Sequence, residues 1–438
     1  MNAIASSMAR GACPALDAPM LTGDGYLSRV ALIEAISPAQ VIALFSLSVK
    51  HGNGMLDISA RGNLQIRGLT LGSAAKLEAD VRALDLPLRE GLAVEWSPLA
   101  GLEDGIDPRP LGLAIMDHAR ALRGRLAPKL SVVLETNGLL RLDDLLADIR
   151  LVATGETGWN VFLGGTLKTG RAIGFVRDEN AADCVAALLD HFASLGLRAR
   201  GRQIEPATLP QDVLRHLEPV KTHVSQPQQN VFGLFAVGQA YNALRVALPF
   251  GQINARALAE FARQAEDFSI ESIRPAPDHS LVAFGDEKAC ANLHGVAEQV
   301  GLIVQADDPL RQIDACPGSP SCNSARLETH ALGRFAASET PGLFDESLRL
   351  HLSGCAKGCV HPTPSPLALV GSENGSHLVF CGKTTDTPIK QLAPGHAKAA
   401  LRALARLIET SRRDGETNHD CLVRLGPGGI VAALGEGP

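Results

Sequence analysis

Apolar and polar residues alternate along "LDISARGNLQIRGL", which places Leu56, Ile58, Leu64 and Ile66 on one side. A period of two predicts two half-buried strands, joined by a turn at Arg61-Gly62-Asn63. The preceding "SPAQVIALFSLSVKHG" changes to a helical period. Ser37 is its expected cap and Pro38 its first residue, a position where the missing N–H costs no hydrogen bond. Residues 242–285 repeat the order of strand, helix and hairpin. A shift of 216 residues, the step from Arg29 to Arg245, also carries Asp57 to Ile273 and Ile66 to Val282. Duplicated half-domains, about 15–100 and 226–305, predict a pseudo-two-fold fold.

Between the copies, residues 106–222 contain the strand patterns "KLSVVLET", "WNVFLGG" and "AIGFVR" and an amphipathic helix around Cys184, a second α+β module. Gly164, Gly165, Lys168 and Arg171 could form a ligand loop, although a hairpin turn explains the glycines equally well. Residues 306–438 add the strands "LALVG" and "HLVFCG" and a closing helix, "GHAKAALRALARLIETSRRD". A pocket is expected where the three modules meet.

Composition narrows the class. The chain of 438 residues is 45% hydrophobic and 20% charged with a formal net charge of -6, the balance of a globular enzyme without a nucleic-acid footprint. No apolar run reaches the ~18–20 residues of a membrane span, and the start has no basic segment leading into a sustained apolar core. A cytoplasmic protein with no membrane partner is expected. Nine cysteines then argue for thiols available to metal rather than for a disulfide framework.

Four of those thiols are concentrated. Cys316 and Cys322 lie in "DACPGSPSCNSA", and Cys355 and Cys359 in "HLSGCAKGCVHP". The spacing is C-x5-C followed by C-x3-C. Gly and Pro in the first pair predict a loop with inward N–H groups, which thiolates on an iron–sulfur cube require. The second pair, four positions apart, is expected on one helical turn that ends before Pro362. Structural zinc favours shorter spacers, and unliganded burial fits Gly/Pro-rich segments poorly. Iron–sulfur is favoured, with zinc or no metal as alternatives. Cys184 reads as packing, and Cys13, Cys290, Cys381 and Cys421 lack a partner at ligand spacing.

The two hairpins differ in charge. The first carries Arg61, Gln65 and Arg67; the aligned "APDHSLVAF" has no Arg or Lys. Anion binding and a solvated strand face both account for the first set. Lys129, in "LAPKLSVVLETNG", is a further basic candidate.

Together these motifs resemble the siroheme sulfite and nitrite reductase family. The cysteine spacing is similar to its cluster signature, "QIRG" to its basic tetrapyrrole-facing strand, and "APKLS" to a basic strand that here has Ser131 in place of a second lysine. The resemblance implies an α+β, sulfite/nitrite reductase-like fold of paired ferredoxin-like half-domains plus two α+β modules. It also implies a [4Fe-4S] cube on Cys316, Cys322, Cys355 and Cys359. In siroheme members the last cysteine is shared with siroheme iron. From Arg10 onward, "RGACPALDAPMLTGDGYLSRV" and "SGCAKGCVHP" resemble the oxygen-dependent branch that serves aerobic cobalamin synthesis, where the tetrapyrrole is the substrate.

That branch implies conversion of precorrin-3A to precorrin-3B by O2-dependent hydroxylation at C20 with lactone formation. It also implies a mononuclear non-haem iron and substrate carboxylates bound by Arg61, Gln65, Arg67 and Lys129. Electrons would come ultimately from NADH. Because "TGDGYLS" and "RLGPGGIVA" lack dinucleotide-loop spacing, a separate reductase or carrier is expected. His223, His351 and His361 read as solvated or hydrogen-bonded rather than as iron ligands. A siroheme-dependent sulfite or nitrite reductase is the alternative.

Overall fold

In a computed structural model, described for residues 14–155, 157–222, 231–238 and 241–435, the hairpin around Arg61 consists of β3 (Met55–Ile58) and β4 (Leu64–Leu69). They pair antiparallel, with Leu56 opposite Ile66 and Asp57 opposite Gln65. Leu56, Ile58, Leu64 and Ile66 are all buried, so the period-two pattern fixes the register. The preceding helix spans Pro38–His51. Ser37 Oγ accepts from Gln40 N at 3.2 Å while Gln40 Oε1 accepts from Ser37 N at 3.0 Å. This reciprocal cap satisfies two donors that a helix start leaves open.

The second copy follows the same order. Strand β2 (Gly25–Val30) corresponds to β11 (Tyr241–Ala247), and the helix Pro38–His51 to the helix Ala255–Asp267. Strands β3 and β4 correspond to β13 (Ser272–Ala276) and β14 (Ser280–Gly285), and the helix Leu71–Arg82 to the helix Glu287–Gln299. A shift of 216 carries β4 onto β14 end for end. The order β2-β4-β3 in one sheet is repeated as β11-β14-β13 in another.

The copies join closely. Their long helices lie against each other, with Leu44 and Phe45 buried on one and Leu258 and Phe261 on the other. Ile36 and Ile273 exchange backbone hydrogen bonds of 3.0 and 2.8 Å. The hairpin tips also touch. Gly62 has φ +76, and a Cβ there would lie 2.7 Å from the Ala276 carbonyl carbon. Asp278 N donates to Ala60 O at 3.1 Å. Both geometry and space therefore demand glycine at position 62.

The described chain falls into two compact units. The first holds residues through 20, 27–246 and 254–296, and so contains most of each half-repeat. It also contains a five-stranded sheet of order β5-β6-β7-β8-β9: β5 (Ala93–Trp96), β6 (Ser131–Glu135), β7 (Ile149–Ala153), β8 (Gly158–Leu163) and β9 (Arg171–Arg177). Strands β5, β6 and β7 pair in parallel. Every residue of β6 and β7 is buried, as expected for parallel strands covered on both faces. Trp96, Trp159 and Phe192 anchor its core together with Cys184, on the helix Asp178–Leu195. Burial pushes the Cys184 thiol pKa up to about 12, so the packing reading holds. Gly164 and Gly165 turn the β8–β9 hairpin with φ +64 and +82, and Arg171 pairs with Glu205 at 2.9 Å.

The second unit holds residues 21–26, 247–253 and from 297 onward. Its sheet runs β15 (Ile313–Ala315), β16 (Leu350–Ser353), β17 (Ser365–Ser372), β18 (Gly375–Gly382) and β19 (Lys390–Leu392). The expected closing helix is Ala397–Ser411, but a further helix, Asn418–Ala433, follows it. The latter is broken internally at Gly426 (φ +66) and Pro427. No helix among the described residues is long and apolar enough to cross a membrane. Arg10, Cys13 and His223 lie outside the described residues.

Candidate metal centre and anion site

The four-thiol site grows out of two parallel strands. Strands β15 and β16 pair with Asp314 opposite His351 and Ala315 opposite Leu352, so Cys316 and Gly354 leave the sheet side by side. Cys316 N donates to Leu352 O at 3.2 Å, and Gly354 N donates to Cys316 Sγ at 3.1 Å. That N–H stabilises a thiolate where it stands. The first cysteine segment is the expected loop. Ser319 N donates to Leu327 O at 2.9 Å, Cys322 N to Gly318 O at 2.8 Å, and Arg326 N to Gly354 O at 2.7 Å.

The second segment is not helical. Residues 354–360 form bends and turns, and Gly358 has φ +57, a left-handed residue that no right-handed helical turn accommodates. Ser353 Oγ donates to Cys355 O at 2.7 Å and Thr384 Oγ1 to Ala356 O at 3.0 Å. Lys357 Nζ donates to Ser324 Oγ at 2.9 Å and ties the two cysteine loops together.

Cys316 is buried, Cys322 and Cys355 are half-buried, and Cys359 is exposed; all four are free. Burial and then the charges of Cys355, Cys316 and Cys322 push the Cys359 thiol up, so the four thiols lie in one neighbourhood. Among the described residues, no three His, Cys, Asp or Glu side chains converge on a point that one metal ion could fill. Four free thiols on two loops joined by the Lys357–Ser324 bond are the kind of donor set an iron–sulfur cluster takes.

Beside the cysteines lies a polar group that composition and spacing did not reveal. Asp314 accepts from Arg349 Nε at 2.6 Å and Nη2 at 2.9 Å, and from His361 Nδ1 at 3.1 Å. Burial opposes ionisation of Asp314, but the hydrogen bonds from His361 and Arg349 outweigh it and hold the carboxyl below its usual range. The bond to Asp314 raises His361. His351 departs from expectation: it is fully buried, and neither ring nitrogen has a hydrogen-bond partner. Burial lowers its pKa to about 4 and keeps the ring neutral.

In the first unit, the basic residues separate into distinct environments. Arg61 Nη2 donates to Leu146 O, while its Nη1 is buried without a partner. Burial, with Arg89 and Arg29 nearby, lowers its pKa against the opposing charge of Glu95. Arg29 makes no hydrogen bond or ion pair with the described residues, and its Nε is buried. Arg29 was read only as a register mark in the sequence. Strand alternation alone does not show whether an arginine has partners. Arg67, by contrast, pairs with Asp57 at 2.7 Å, the two side chains being 11% and 15% exposed. Gln65 stands across from Asp57 on the same hairpin. Lys129 is exposed in the turn before β6, without a hydrogen bond or ion pair to the described residues. The structure therefore groups Arg61 with Arg29 and leaves Arg67 engaged.

Known proteins agree with this architecture. Residues 19–84 match the nitrite/sulfite reductase ferredoxin-like half domain. A precorrin-3B synthase of Sinorhizobium sp is 36% identical over 99% of this chain and 96% of that protein. A ferredoxin-type sulfite reductase of Synechococcus elongatus is 22% identical over 89% of this chain and 78% of its own length. Among solved structures, the Mycobacterium tuberculosis NirA protein superposes with a TM-score of 0.71 at 19% identity, covering 92% of this chain and 84% of that one. The last likeness carries the fold: α+β and sulfite/nitrite reductase-like. With a relative this similar over nearly its whole length, the chain belongs to the precorrin-3B synthase family, within the sulfite and nitrite reductase-like proteins.

Proposed function

We propose that the protein converts precorrin-3A to precorrin-3B by O2-dependent hydroxylation at C20, with lactone formation by the ring A acetate. The observation that carries this reading is the placing of Cys316, Cys322, Cys355 and Cys359, all free, on two loops joined by the Lys357–Ser324 and Gly354–Cys316 hydrogen bonds, in a chain of this family. One oxygen atom enters the substrate and the other leaves as water, at the expense of two electrons drawn ultimately from NADH through a separate reductase or carrier. When bound, a [4Fe-4S] cluster supplies single electrons, and a mononuclear non-haem iron supplies the site of O2 chemistry.

The chain's own residues hold and orient. The four cysteines ligate the cluster, and Gly354 N–H offsets charge on Cys316 Sγ. Arg61 and Arg29, with their buried unpartnered nitrogens, take substrate carboxylates, because guanidinium N–H groups match acetate and propionate oxygens. Gln65 adds a neutral donor. Arg67 contributes less because Asp57 already neutralises it, and the exposed Lys129 adds positive charge alone.

The test is a visible spectrum of anaerobically purified protein with iron, zinc and sulfide analysis, followed by O2 uptake with precorrin-3A. A broad brown absorption, about four sulfides and iron in excess of the cube are expected. A bound siroheme band would replace this reading with sulfite or nitrite reduction, and a colourless zinc protein would exclude both.

A further inference from the structure

The stretch "TGDG", residues 22–25, has no part in a nucleotide loop, and the structure gives it another setting. Within the second unit, Asn323 N donates to Gly23 O at 3.2 Å, next to Cys322. A Cβ built on Gly23 would lie 3.4 Å from Cys322 Cβ and well inside the radius of Cys322 Sγ. The turn braces itself: Thr22 Oγ1 is 2.8 Å from Asp24 Oδ1 and 2.7 Å from Gly25 O. Gly23 does not have a left-handed φ, so its backbone conformation does not itself demand glycine. What excludes a side chain at 23 is the sulfur of Cys322.

We propose that the Thr22–Gly25 turn is a fixed cover on the Cys322 corner of the cluster, with Gly23 positioning Cys322 by leaving room for its sulfur in the ligating rotamer. The inference rests on the cluster reading above. Cys322 is half-buried, so this turn is part of what separates its sulfur from solvent and O2, and an enzyme that consumes O2 has reason to shield a cube.

The two states of Cys322 give the idea a sharp consequence. In the cluster-free protein, Sγ swings to another staggered rotamer and clears an added methyl group. In the loaded protein, iron fixes the sulfur, so the collision must be relieved by lifting the cover or losing the ligand. Gly23→Ala is therefore expected to leave the thermal midpoint of the cluster-free chain within about 2 °C of the parent. The same variant should lower iron and sulfide after anaerobic reconstitution, and air should bleach its absorption about tenfold faster. Gly72→Ala is the control, since a Cβ there meets nothing nearer than Thr70 Oγ1 at 4.0 Å.

Equal cluster content and bleaching rate in Gly23→Ala and the parent would overturn the proposal. So would a loss of stability in the cluster-free chain that removing the Cys322 sulfur does not restore, because the turn would then be packing alone. Should Gly23→Ala fold poorly, Cys322→Ala in the same chain decides: restored cluster-free stability supports a clash at the sulfur, and no restoration overturns it. A parent that takes up no iron and sulfide fails the cluster reading itself, a result separable from the variant comparison.

Discussion

Arg29 and Arg245 occupy the same place in the two copies of the repeat, yet their surroundings are opposite. Arg245 is 7% exposed and fully employed: Nε donates to Ser280 Oγ at 3.1 Å, Nη1 to Val231 O at 3.1 Å and Nη2 to Pro277 O at 3.2 Å. Its guanidinium also lies 5.6 Å from the Phe232 ring centre. Arg29 has none of this within the described chain, and its Nε is buried and unpartnered. A buried nitrogen with no hydrogen-bond partner costs stability, so its retention suits a ligand that arrives later. Duplication set the same residue in two frames, where one copy closes the fold and the other keeps a guanidinium nitrogen without a partner.

The strongest way to break this comparison is to truncate Arg245. Arg245→Ala removes three hydrogen bonds, leaving Val231 O without its guanidinium donor while Ser280 Oγ still donates to Pro277 O, and should cost about 3 kcal/mol of stability in denaturant titration, whereas Arg29→Ala should cost nothing or stabilise the empty protein. A similar loss in both would make Arg29 structural and end the contrast. Arg29→Ala and Arg61→Ala should each weaken precorrin-3A binding by roughly 10- to 100-fold, the worth of one charge-assisted hydrogen bond of about 1.5–3 kcal/mol. Calorimetric or fluorescence titration would show it, and unchanged affinity in both variants would remove the carboxylate role. Arg67→Ala tests the engaged case: about 1 kcal/mol of stability is expected, shrinking once Asp57→Ala is also present. The smallest effect belongs to Lys129→Ala, at most about threefold in association rate and screened by salt.

Much of the first unit was legible because a constant shift of 216 is hard to produce by chance and both copies carry strong periods. Strand β7 escaped notice because "IRLVA" is buried on both faces and lacks alternation. The helix Asn418–Ala433 was hidden by Gly426-Pro427-Gly428-Gly429, which reads as a breaker and does interrupt the helix, but only locally. At the candidate metal centre the spacing pointed to the four cysteines that the structure carries on two joined loops. The shape of the second loop was not, because i and i+4 suggested a helix and Gly358 supplied a turn. His351 was read as solvated or hydrogen-bonded. Only tertiary packing reveals a ring held in the sheet with both nitrogens idle. Arg29 shows the same limit, since a sequence displays an arginine without displaying what it lacks.

The reciprocal bonds between Ile36 and Ile273 join residues far apart in synthesis. At about 5–20 residues per second on the ribosome, the 216-residue interval between matching elements corresponds to roughly 10–40 s. During that time the helix Pro38–His51 has been made and its counterpart has not. Val41, Leu44 and Phe45 must wait in the cell without the surface that will cover them, so the yield of this protein should depend on chaperones that act on nascent chains.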